Sequence, residues 1–114
     1  MDTTSNYRVR IHPQVKNQDL PKLPEEMQDD FRDIFVSILS TDPYSCGGFP
    51  SHDLVRDLKG LRALQIEFDI EGYKEIYRLI YKINNIPKNK TVEIISFDLH
   101  DSAYDKAHER IVRR

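Results

Sequence analysis

Aromatic and β-branched residues set at period two dominate residues 73–83, YKEIYRLIYKI. Tyr73, Tyr77, Leu79, Tyr81 and Ile83 share one parity; Lys74, Ile76, Arg78, Ile80 and Lys82 share the other. A strand sends successive side chains to opposite faces. The segment therefore predicts a central strand with one apolar face and a second, half-covered face that carries Arg78 at its middle. Period two recurs in residues 7–12, with Tyr7, Val9 and Ile11 opposite Arg8, Arg10 and His12. It recurs again in residues 61–68, where Leu64, Ile66 and Phe68 oppose Gln65 and Glu67. Val92, Ile94, Ile95 and Phe97 mark a last strand over residues 91–99. Residues 69–72 and 84–90 read as hairpin loops, Gly72 supplying a positive φ.

The period changes over residues 24–39. Met27, Phe31, Ile34, Phe35, Ile38 and Leu39 form one helical stripe, and Gln28, Asp29, Asp30, Arg32 and Asp33 form a solvated face. Pro24 suits a first turn, and Glu25 and Glu26 complement the positive end of the helix dipole. A shorter helix is expected from Pro13, anchored by Val15, Leu20 and Leu23 and stopped by Pro21 and Pro24. Residues 43–57 read as a loop. Its Cys46-Gly47-Gly48 lacks the preceding strand and the following Gly-Lys-Ser of a phosphate-binding loop. Asp101 or Ser102 is placed to cap a final helix through Ile111, with Arg110, Arg113 and Arg114 at its negative end. The order β-α-α-β-β-β-α predicts an α+β fold: an antiparallel four-stranded sheet, two N-terminal helices on one face and a short C-terminal helix. With the helices on one face, the other would gather Arg8, Arg10, Gln65, Glu67, Lys74, Arg78 and Lys82.

Composition narrows the classes. A chain of 114 residues is one domain, 1–114, able to bury a core unaided. Its polar residues 1–6 are expected to be disordered. A net charge of −2 argues against a uniformly basic nucleic-acid coat, but the acids are unevenly spread. Residues 54–114 hold twelve Lys+Arg against ten Asp+Glu, so a local basic patch is compatible with the balance. A lone cysteine, no apolar leader and no membrane-length apolar run point to the cytoplasm. His12, His52, His100 and His108 lack metal-ligand spacing, so no metal is expected.

Two motifs carry a resemblance. The first is Leu58-Lys59-Gly60-Leu61, leading through a hairpin to Tyr77-Arg78-Leu79-Ile80-Tyr81. The second is the closing strand Ile94-Ile95-Ser96-Phe97-Asp98-Leu99, followed by His100 and, four positions on, Tyr104. Together with the element order they resemble the RelE/ParE superfamily of bacterial type II toxin–antitoxin toxins, over about residues 7–112. The resemblance implies a metal-independent endoribonuclease that uses no cofactor, an mRNA interferase that cuts messages in the ribosome, causes growth arrest, and is held by a cognate antitoxin. It puts Arg78 at the phosphate-stabilising position, His100 and Glu67 at proton transfer, and Tyr104 at base stacking or proton transfer. Arg8, Arg10, Lys59, Arg62, Lys74 and Lys82 are the implied RNA-binding cations. Gln65 and Glu67 stand where such ribonucleases often carry lysines. That keeps open the alternative of a ParE-like DNA gyrase inhibitor or a catalytically inactive toxin-like binding protein.

Overall fold

The computed structural model describes residues 6–112. The expected disorder of residues 1–5, and Arg113 and Arg114, fall outside that range. The chain folds as α+β around a five-stranded mixed sheet of order β1-β5-β4-β3-β2. Its strands are β1 Arg8–Ile11, β2 Ser51–Asp53, β3 Arg62–Ile70, β4 Tyr73–Ile86 and β5 Asn89–Leu99. The three long strands form the expected antiparallel meander. Its turns are tighter than expected. Glu71 and Gly72, at φ 49° and 90°, make a two-residue link, and Pro87 and Lys88 make the other.

Two features of the sheet depart from the sequence reading. β1 lies parallel to β5, with Arg8 beside Thr91 and Ile11 beside Ile94. The segment expected as loop contributes β2, with His52 beside Ala63. Strand direction is not encoded in alternation, and a three-residue strand has too few positions to show a period.

Helix α1 (residues 15–22) and helix α2 (residues 25–41) cover one face. α1 runs through Pro21 rather than stopping there. It carries a π turn, Val15–Asp19, shortly before that proline. Leu23, extended at φ −80° and ψ 154°, ends it before Pro24. α2 holds a second π turn, Phe31–Phe35. The extra residue per turn lines up Met27, Phe31, Phe35 and Leu39, all buried, and rotates Ile34 out to 42% exposure. That stripe meets Leu64, Ile66, Tyr77, Leu79, Val92, Ile94 and Phe97.

Helix α3 (His100–Val112) lies on the opposite face, so the sheet is sandwiched and its second face is not fully open. α3 follows β5 directly, ahead of the expected caps. Its small residues Ala103 and Ala107 sit on Ile80, Ile95 and Ala63, flanked by Leu54 and Leu61. A bulge at Ile95 keeps Phe97 on the first face and turns Ser96 to α3, where its hydroxyl donates to the Ala103 carbonyl at 2.8 Å.

The edge of β5 beyond the short β1 is closed by side chains. The last ladder bond runs from His12 N to the Ile94 carbonyl. Past it, the buried Asp19 carboxylate accepts the Phe97 N–H at 2.9 Å, and Arg110 Nη1 donates to the Ile95 carbonyl at 2.8 Å. Asp19 and Arg110 pair bidentately at 2.8 Å, and Lys106 adds a donor at 3.2 Å. Burial alone would raise the Asp19 carboxyl's pKa. Hydrogen bonds from Arg110 and from Phe97 N–H, the Arg110 charge and Lys106 outweigh it and hold the group below the usual carboxylate range.

Candidate active site

α3 docks on Ile80 and divides the cations of the second face. Arg78 lies on β4 to one side of Ile80, and Lys82 lies to the other. Arg78 is half-buried at the centre of a cross-strand row, with Gln65 on β3 and Asp98 on β5 as its register partners. Its Nε is buried and has no hydrogen-bond partner among the described residues. An arginine in that state is uncommon, because an unmet buried donor carries its full desolvation cost.

His100 and Tyr104 lie in the first turns of α3, which follows directly from β5, the strand that pairs with Arg78's own. Their rings meet edge to face, with centroids 4.8 Å apart. Asp101 Oδ1 lies 2.8 Å from His100 Nδ1, which leaves Nε2 as the other imidazole nitrogen. The strand missed by sequence reasoning brings in His52. Partial burial first, then the positive charges of Arg78 and Arg62, lower the His52 pKa; Asp53 opposes them and His100 adds to them. His52 is therefore neutral near pH 7 and lies within the electrostatic reach of Arg78 and His100. The only sequence signal for it was a histidine two residues from a proline in an otherwise uninformative loop.

Two grooves flank this cluster. One, of about 340 Å³, is lined by His52, Asp53, Leu54, Val55, Leu58 and Tyr104. The other, of about 420 Å³, runs along Glu75, Ile76, Leu99 and His100 to Ser102. Both offer apolar walls beside polar groups, and Ile76 and Leu99 are each 39% exposed.

The remaining candidates divide. Glu67 and Lys74 share the second face with Arg78, and their charged ends lie 3.8 Å apart. Arg62 points to the first face. Its guanidinium binds Asp53 at 2.7 Å, the Tyr44 carbonyl at 2.8 Å, Ser51 Oγ at 3.0 Å and the Tyr81 hydroxyl at 3.2 Å. It clasps β2 and the loop before it onto β3 and β4. Lys59 is exposed in a separate groove with Gly60 and Arg62. Arg8 and Arg10 are exposed on β1, in register with Thr91 and Glu93, at the end of the sheet shared with Lys82. No group of three or more His, Cys, Asp or Glu that could hold a metal ion occurs among the described residues. No helix among them is long and apolar enough to cross a membrane.

No protein-family model and no curated protein matches the chain. Solved structures do. A YoeB/ParE toxin from Agrobacterium tumefaciens superposes with a TM-score of 0.57 at 14% identity, over 82% of this chain and 98% of that one. The free state of an arginine-to-alanine double mutant of the E. coli toxin RelE superposes with a TM-score of 0.52 at 19% identity, over 93% of this chain and 98% of that one. The sheet, its helices and their order thus make this chain similar in fold to the RelE/ParE toxins, the fold that the two sequence motifs implied.

Proposed function

We propose that the chain is the toxin of a type II toxin–antitoxin pair and acts as a RelE-like, ribosome-dependent mRNA endoribonuclease. The observation that carries this reading is Arg78. It is a half-buried guanidinium whose Nε lacks a partner among the described residues; its charge reaches His52, and the His100–Tyr104 ring pair lies on the helix that follows its neighbouring strand. Cleavage of RNA without a metal needs those parts. The ribose 2′-oxygen attacks the adjacent phosphorus and the P–O5′ bond breaks, giving a 2′,3′-cyclic phosphate and a 5′-hydroxyl. His52, neutral at pH 7, takes the 2′-hydroxyl proton, and His100 Nε2 gives a proton to the leaving O5′. Arg78 holds the charge that builds on the phosphate. Tyr104 stacks on a base in the groove it shares with His52, and the groove along Ile76 and Leu99 takes the neighbouring nucleotide. Glu67, tied to Lys74 one row from Arg78, is a reserve proton acceptor. Lys59, Lys74 and Lys82, with Arg8 and Arg10, contact RNA phosphates away from the scissile one.

Inducing the chain alone is expected to arrest growth, with new RNA 5′ ends inside translated messages. Arg78→Ala is expected to relieve both. Growth that continues on induction of the intact chain removes the toxin reading. The neutral Gln65 and acidic Glu67 beside Arg78 favour one alternative, inhibition of DNA gyrase. Intact messages accompanied by double-strand DNA breaks would establish it instead.

A further inference from the structure

The second face poses a problem that any phosphate-binding arginine in it must solve. Arg78 and Asp98 are direct cross-strand partners on β4 and β5, the placement in which opposite charges ordinarily pair. They do not pair. Asp98 Oδ2 accepts from Lys106 Nζ at 2.7 Å, and Asp98 Oδ1 accepts the Leu99 N–H at 2.7 Å. Both carboxylate oxygens are thus occupied, and both charged groups of the Lys106–Asp98 pair are about three-quarters buried. Lys106 is itself anchored by Asp19 at 3.2 Å, on the side of α3 away from the histidines. On the other side of Arg78 the register partner is Gln65, which carries no charge. The other acids of this region have partners of their own: Asp53 has Arg62, Glu67 has Lys74 and Asp101 has the His100 ring. Those three acids are more than half exposed, so their pairings are weak. Asp98 is the acid that could silence Arg78.

From this geometry we propose that Lys106 is a positioning residue: it withholds the Asp98 carboxylate from Arg78 and so keeps the guanidinium available to an RNA phosphate. The proposal rests on the assignment of Arg78 to the scissile phosphate. Lys106 touches no substrate. It acts by claiming the one carboxylate that would neutralise Arg78 through a ready-made cross-strand pair. Without Lys106, Asp98 keeps one backbone hydrogen bond and its other oxygen turns across the strand.

Rescue by a second substitution tests this. Lys106→Met is expected to lower cleavage of a translated message, in a cell-free translation mixture, by at least about tenfold. Lys106→Met with Asp98→Asn is expected to return to within about threefold of the unsubstituted chain, because the asparagine carries no charge to offer Arg78. Lys106→Arg is expected to stay near full activity. The single and double variants lose the Asp19 contact equally, so a loss of fold cannot separate them. Activity retained in Lys106→Met, or no recovery on adding Asp98→Asn, overturns the proposal. The Nε–Hε resonance of Arg78 gives a readout that does not depend on cleavage. It is expected to shift and to exchange more slowly in Lys106→Met, and an unchanged resonance overturns the proposal. If the intact chain cleaves nothing, the nuclease reading falls, while this resonance still decides whether Lys106 keeps Asp98 from Arg78.

Discussion

Replacing Arg110 with methionine tests the buried clasp at the edge of β5. Arg110 is 4% exposed and Asp19 is 1% exposed, and four of the guanidinium's hydrogen bonds are lost together. Two of these reach the Asp19 carboxylate, one reaches the Ile95 carbonyl and one reaches Gln14. Breaking one side of a buried ion pair costs about 3–5 kcal/mol, because the other charge is left behind. Here Lys106 and the Phe97 N–H still serve the carboxylate, so the lower end, about 3 kcal/mol, is expected. For a domain of this size that lowers the midpoint of thermal unfolding by about 12 °C. Denaturant unfolding of four proteins closes the test: the parent, Arg110→Met, Asp19→Asn and the double variant. Removing both charges leaves neither partner of the clasp buried without its counter-charge, so the double variant should be more stable than the sum of the singles predicts, by more than about 1 kcal/mol. Additive losses, or an Arg110→Met loss below about 1 kcal/mol, would refute the claim that the clasp is a coupled, desolvated pair.

Other outcomes follow from the same structure. The Asp19 carboxyl titrates below its unfolded value of about 3.9, so its stabilisation is complete above that pH and is lost as pH falls through the folded value. Acid unfolding of Asp19→Asn should accordingly show a shallower pH dependence below about pH 4 than the parent does. The His52 imidazole should titrate below about 6.5 by NMR and move up in Arg78→Ala; an unmoved titration would separate the two residues. Arg78→Ala should leave stability within about 0.5 kcal/mol, because Nε gives up no bond among the described residues, while cleavage falls by about 10²–10³-fold. Tyr81→Phe removes the hydroxyl that donates to the Pro43 carbonyl at 2.6 Å and accepts from Arg62 Nε, and should cost about 2 kcal/mol in denaturant unfolding.

The residues differ in how much of this they disclosed in advance. β3, β4 and β5 were readable because each is long enough to show its alternation, and Arg78 was placed at the centre of the second face from parity alone. The helical stripe was readable at Met27, Phe31, Phe35 and Leu39. Ile34 was assigned inward because an ideal turn was assumed where the chain adopts a wider one. His52 was passed over because β2 exists through its pairing with β3 rather than through any pattern of its own. The location of α3 was hidden in Ala103 and Ala107. Alanine is compatible with an exposed helix face and with close contact against a sheet, and only the opposing Ile80 and Ile95 decide between them. Arg110 was read only as a charge suited to the negative end of its helix, and Asp19 drew no reading, since a partnership across 91 positions leaves no local signal.

The long reach of that partnership bears on when the chain becomes competent during synthesis. β1 cannot find its neighbour until residues 91–94 exist, and Asp19 waits longer still, for position 110. Contacts so distant in sequence form late. A growing polypeptide therefore carries Arg78 well before it carries Lys106 and Arg110, and the cleft around Arg78 is completed only once residue 110 has joined its partners.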